Sequence, residues 1–104
     1  MDFKQSETRL NLMRAFAGES QARNRYTFAA SQARAQKHYA LEEVFKFTAG
    51  QEKEHAEIFY NHLKECAGEN IKIDGSYPVD INESMAEILK CAAHNEFEES
   101  GDVY

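Results

Sequence analysis

Apolar residues recur at steps of three and four along most of the chain, the spacing of helices that bury one face. Two breaks divide the pattern into three helices. The first is predicted from about Glu7 to Ala35 and the second from about Tyr39 to Cys66. Gln36-Lys37-His38 between them is short enough to make the pair an antiparallel hairpin. The second break, Gly68 to Pro78, holds the only proline. A third helix is expected near Asp80, where Asp80-Ile81-Asn82-Glu83 has the spacing of a capping box, and it runs through Ser100 or beyond. Val103 and Tyr104 continue its apolar register, so this helix is expected to be cut rather than finished. No internal repeat or low-complexity segment interrupts an all-α chain.

The buried rows carry a common defect. In the second helix the row reads Leu41, Phe45, Thr48, Glu52, His55, Phe59, His62, Cys66. In the first it is Leu12, Phe16, Glu19, Arg23, Tyr26, Ala30, Ala33, and in the third Met85, Leu89, Ala92, Glu96, Glu99, Val103. Carboxylates stand where apolar side chains belong. One such intrusion is usually a stripe-edge residue reaching water; three, each near mid-helix, call for a common cause. Buried carboxylates are costly and repel one another, and a polyvalent cation compensates both effects. Four carboxylates and an imidazole are a donor mix suited to iron or manganese.

Glu52-Lys53-Glu54-His55 is a Glu-x-x-His step, which brings a carboxylate and an imidazole onto one helix face. Di-iron carboxylate bundles use this element on two helices and a single Glu on each of two others. The step is common by chance when alone; a buried-row Glu on the preceding helix makes it informative. Glu96-Phe97-Glu98-Glu99 adds a Glu-x-x-Glu step.

Composition narrows the choice of partner. The 104 residues carry a net charge of -6, with no basic surplus for a nucleic-acid backbone or an anionic membrane. No apolar run approaches a membrane span, and no apolar stretch follows the N-terminus as a signal peptide requires, so a cytoplasmic location is expected. Cys66 and Cys91 form no CxxC and are expected to be two buried thiols.

Ala15-Phe16-Ala17-Gly18-Glu19-Ser20-Gln21-Ala22-Arg23-Asn24-Arg25-Tyr26 resembles the first-helix signature of rubrerythrins. Glu52-Lys53-Glu54-His55-Ala56 is similar to their second-helix motif, and Ala93 to Glu99 to their third-helix Glu-x-x-Glu segment. The resemblance implies a ferritin-like four-helix bundle around two iron ions, with zinc or manganese as substitutes, that reduces hydrogen peroxide with electrons from a rubredoxin-like donor. It implies Glu19, Glu52, His55, Glu96 and Glu99 as metal ligands, with Glu96 and His55 exchanging on one iron. Tyr26 and Tyr104 would stand beside the metals.

The sequence departs from that pattern by lacking a fourth helix with a second Glu-x-x-His and a rubredoxin-like domain; Asn95 also stands where the family often has Gly. The three helices would therefore be one incomplete di-iron domain, completed by dimerisation, helix-swapped or not, or by a further chain segment. Two copies of the first two helices supply two Glu and two Glu-x-x-His, a full ligand set for two metals. Ferritin-like iron oxidation or binding is the alternative function. A metal-free bundle, its acids paired with arginines such as Arg23 or facing solvent, is the structural alternative. His38 is expected in a solvated turn, His62 at a core edge, and His94 pointing away from Glu96. Glu42, Glu43, Glu54, Glu57, Glu65, Glu83 and Glu87 are expected on a solvated face, and a one-residue register shift would exchange Glu98 with Glu99.

Overall fold

The computed structural model describes the backbone of residues 6–103 and the side chains of residues 6–95. Three helices account for most of it: α1 (Glu7–Ala35), α2 (Tyr39–Asn61) and α3 (Met85–Val103). No strand occurs among the described residues.

α1 opens on Ser6, whose hydroxyl accepts a hydrogen bond from the Arg9 amide at 3.2 Å. It closes on a left-handed residue, Lys37, with φ of 64°. The His38 amide reaches back to the Ala33 carbonyl (2.7 Å) and the Lys37 amide to the Arg34 carbonyl (3.0 Å), the paired bonds of a Schellman motif. That motif reverses the chain in three residues, so α2 starts at once and returns along α1.

The contact between α1 and α2 is made of small side chains. Ala22, Ala29, Ala30 and Ala33 of α1 share one buried cluster with Phe45 and Ala49 of α2, and Tyr26 packs on Phe45 with ring centroids 6.2 Å apart. Alanine at these positions lets two helices approach closely while losing little side-chain entropy. Met85 and Ile88 of α3 close the same cluster from the other side. α2 ends earlier than the pattern predicts. It stops at Asn61, and Cys66 falls in a separate 3₁₀ turn over Lys64–Cys66. Gly68 follows at φ of 88°, a conformation that favours glycine.

Residues 67–84 form a strap that runs beside α1 in the same direction. Asp74 pairs with Arg14 (3.5 Å), the Tyr77 ring lies against Gly18, and Asp80 meets Arg25 (3.8 Å). Further along, the Gln32 and Gln36 side-chain amides donate to the carbonyls of Asn82 and Glu83, each at 2.8 Å. These bonds hold the strap extended past the expected start of α3. The helix opens at Met85 instead, with Ser84 as its cap, accepting from the Glu87 amide at 3.4 Å. Ser84-Met85-Ala86-Glu87 has the same capping-box spacing. The carboxylate of Asp80 is engaged by Arg25 and Asn95, so it does not cap a helix.

Three further expectations are corrected by burial. Arg23 is exposed, because the α1 face turned to α2 is centred on Ala22, Tyr26 and Ala33. Ile88, not Leu89, is the buried residue of α3. Glu42 is buried to 6% exposure, where a solvated carboxylate was expected. It sits against α1 with Lys46 at 3.0 Å and Arg34 at 3.6 Å, so two long cationic side chains neutralise it from the rim. The thiols also differ: Cys66 is buried, Cys91 only half so.

Candidate metal centre

Glu19 lies on α1 and Glu52 and His55 on α2, close to the middle of the helix pair. One donor atom from each falls within 4.8 Å of the other two. Metal–nitrogen and metal–oxygen bonds of about 2.0–2.2 Å put donors on opposite sides of one ion about 4.2 Å apart. Small side-chain adjustments therefore suffice for all three to meet a single cation. The Nδ1 of His55 is already 3.8 Å from Glu19 Oε2.

The environments of the three donors differ. Glu52 is 7% exposed, and its Oε2 is buried with no hydrogen-bond donor among the described residues. An acceptor left in that state costs about 1–3 kcal/mol, more when charged. Glu19 is 16% exposed, with its own Oε2 shielded from solvent. His55 is 51% exposed and stands at the open edge, although its spacing put it on the buried row. A buried carboxylate with unused acceptor capacity, a second carboxylate and an accessible imidazole fit a divalent iron site. The donors present match that ion.

Other residues implicated by sequence divide into two groups. Tyr26 is buried on the α1 face that carries Glu19, two helical turns away, with Arg25 over its ring at 5.9 Å. Glu96 and Glu99 fall on α3, but their side chains lie outside the described residues, as does Tyr104 altogether. The backbone fixes only their place: α3 runs back along α1, and Asn95 comes level with Arg25 through Asp80.

Apolar side chains are exposed along the outside of α2. Val44, Phe47 and Ile58 are all more than half exposed. Phe28 of α1 and Val79 and Ile81 of the strap are exposed as well. Among the described residues no helix is long and apolar enough to cross a membrane.

The antiparallel helix pair brings a Glu and a Glu-x-x-His together around a buried carboxylate, an arrangement that could hold a metal ion within a helical bundle. The rubrerythrin family profile matches residues 11–100, and the chain belongs to the rubrerythrin family. It is 48% identical over 101 residues to a rubrerythrin of Porphyromonas gingivalis, covering 97% of this chain and 49% of that protein. A rubrerythrin of Clostridium perfringens is 42% identical over 102 residues, covering 97% and 52%. One from Nitratidesulfovibrio vulgaris is 37% identical over 99 residues, covering 92% and 50%. The chain thus spans about half the length of the curated relatives it matches. No solved structure matches it significantly.

Proposed function

We propose that this chain contributes to a non-haem di-iron centre that reduces hydrogen peroxide to water. The convergence of Glu19, Glu52 and His55, with Glu52 Oε2 buried and unmatched, is the observation that carries the proposal. When bound, the two irons supply the two electrons that cleavage of the O–O bond consumes, while two protons complete two waters.

The chain's own residues set the conditions. Glu52, enclosed between α1 and α2, holds its carboxylate away from water, where attraction to a cation is strongest. His55 lies at the open edge, free to approach or leave the centre as charge there changes. Glu96 and Glu99 add carboxylates from α3. Tyr26, and Tyr104 from the end of the chain, orient carboxylate ligands by hydrogen bonding.

One copy of α1 and α2 supplies one Glu and one Glu-x-x-His, half of the ligand set of a di-iron bundle. We assign the other half to a second copy, directly paired or helix-swapped, or to a further segment of the same domain. The exposed Val44, Phe47 and Ile58 along α2, the last of them one turn from His55, support such a cover. Electrons come from a donor of the rubredoxin kind, and the setting is cytoplasmic defence against peroxide.

The test is peroxide consumption by the full protein, loaded anaerobically with ferrous iron and supplied with a chemical reductant. Turnover that disappears in Glu52→Ala and His55→Ala supports the assignment; full activity in either variant refutes it. Faster reaction with O₂ than with peroxide would instead mark a ferritin-like iron oxidant.

A further inference from the structure

A continuous set of polar contacts joins the backbone beside Glu19 to the residue beside Glu96. The Gly18 carbonyl accepts from the Gln21 side-chain amide at 2.7 Å. Gln21 Oε1 accepts from Arg25 Nε at 2.6 Å. Arg25 Nη1 lies 3.8 Å from Asp80 Oδ2, and the same oxygen accepts from Asn95 Nδ2 at 2.7 Å. Cys91, one turn before Asn95 on α3, lies near the same carboxylate. Gly18 precedes Glu19, and Asn95 precedes Glu96.

Asp80 is the junction of this set. It belongs to neither helix, yet it is the group through which a cation on α1 and an amide on α3 meet. Arg25 and Asp80 are each about three-quarters enclosed, at 21% and 25% exposure, so water competes with their contact less than at an open surface. Among the described residues, the apolar packing of α3 on the hairpin is made by Met85, Ile88 and Ala92. Such packing is non-directional and leaves the helix freedom to slide or rotate. A directional polar contact at Asn95 removes that freedom one residue before the first α3 carboxylate position.

We propose that Asp80 is a positioning residue for the metal centre: by tying Arg25 on α1 to Asn95 on α3, it fixes the register at which the Glu96 and Glu99 positions stand relative to Glu19. The proposal rests on the assignment of Glu96 and Glu99 as ligands made above. It also gives Asn95 a role, where the family resemblance leads one to expect glycine.

Anaerobic titration of the metal-free full protein with cobalt(II) tests it, following both affinity and the visible ligand-field bands. Asp80→Ala is expected to weaken cobalt binding about tenfold and to shift the bands, the lower end of the effect of removing groups that orient ligands. Asn95→Ala, a change that favours helix, is expected to act in the same direction. Asp80→Asn keeps an oxygen to accept from Asn95 and is expected to recover most of the affinity. In a Glu96→Ala/Glu99→Ala background, Asp80→Ala is expected to have no further effect. Unchanged affinity and bands in Asp80→Ala overturn the proposal. An equal loss in the background without α3 carboxylates also overturns it, marking general loosening of the fold. A wild-type protein whose cobalt binding does not depend on Glu19 and Glu52 overturns the metal-site assignment itself, and this proposal with it.

Discussion

Replacing Glu52 with leucine should stabilise the metal-free protein while abolishing its response to metal. Glu52 is 7% exposed, and its Oε2 lacks a hydrogen-bond donor among the described residues. An unmet buried acceptor costs about 1–3 kcal/mol. Leucine has a similar volume and removes that cost. Its further apolar gain is small, because the glutamate methylenes are already enclosed. The expected net effect in the metal-free state is about 2 kcal/mol of stabilisation. For a domain of this size that raises Tm by about 10 °C. Metal acts in the opposite sense. At a free concentration about a hundred times Kd, wild type gains about 2.7 kcal/mol, and Glu52→Leu gains nothing. The assay is thermal unfolding by circular dichroism at fixed protein concentration, with and without ferrous iron under anaerobic conditions. A lower metal-free Tm in Glu52→Leu, or an equal iron-induced rise in both proteins, would refute the reasoning that Glu52 is retained in the core for the cation.

Three further outcomes follow from the fold. Lys37→Gly should stabilise the chain by about 1 kcal/mol, because a left-handed φ of 64° is strained for lysine and not for glycine; chemical denaturation measures it. Removing both cations from buried Glu42, as Arg34→Ala/Lys46→Ala, should cost about 3 kcal/mol and more than the sum of the single changes, since either cation alone still partners the carboxylate. Partial burial raises the Cys91 thiol pKa, and the charge of Asp80 raises it further. Only the thiolate reacts with iodoacetamide, so the alkylation profile of Cys91 should lie at higher pH than that of a free thiol and move down in Asp80→Ala.

Local signals made the hairpin legible in the sequence. The bounds of α1 and the start of α2 follow from apolar periodicity and a three-residue turn, both set by neighbours in the chain. The start of α3 did not follow. Two capping boxes follow one another there, and long-range bonds from Gln32 and Gln36 to the strap, together with Asp80's own partners, decide for Ser84. The burial of Glu42 is hidden from the sequence for a related reason. Its burial depends on where α1 crosses α2, and only the i,i+4 lysine at 46 hinted at a partner for it. Glu19, Glu52 and His55 were legible as a set because helical spacing converts directly into a shared face. The depth of each was not: Glu52 points into the contact with α1, whereas His55, three residues on, lies about 60° round the helix from it, at the edge. The contact between Asp80 and Asn95 links residues 15 positions apart in a strap and a helix, and no periodicity announces it.

The most direct test is iron content per chain, measured by elemental analysis on anaerobically loaded protein whose oligomer mass is determined on the same sample. The account predicts bound iron in wild type: about one per chain if two copies share a centre, about two if further segments complete it. It also predicts iron lost in Glu52→Leu and in Glu19→Ala. Wild-type protein that retains no iron, or variants that retain as much as wild type, would contradict it.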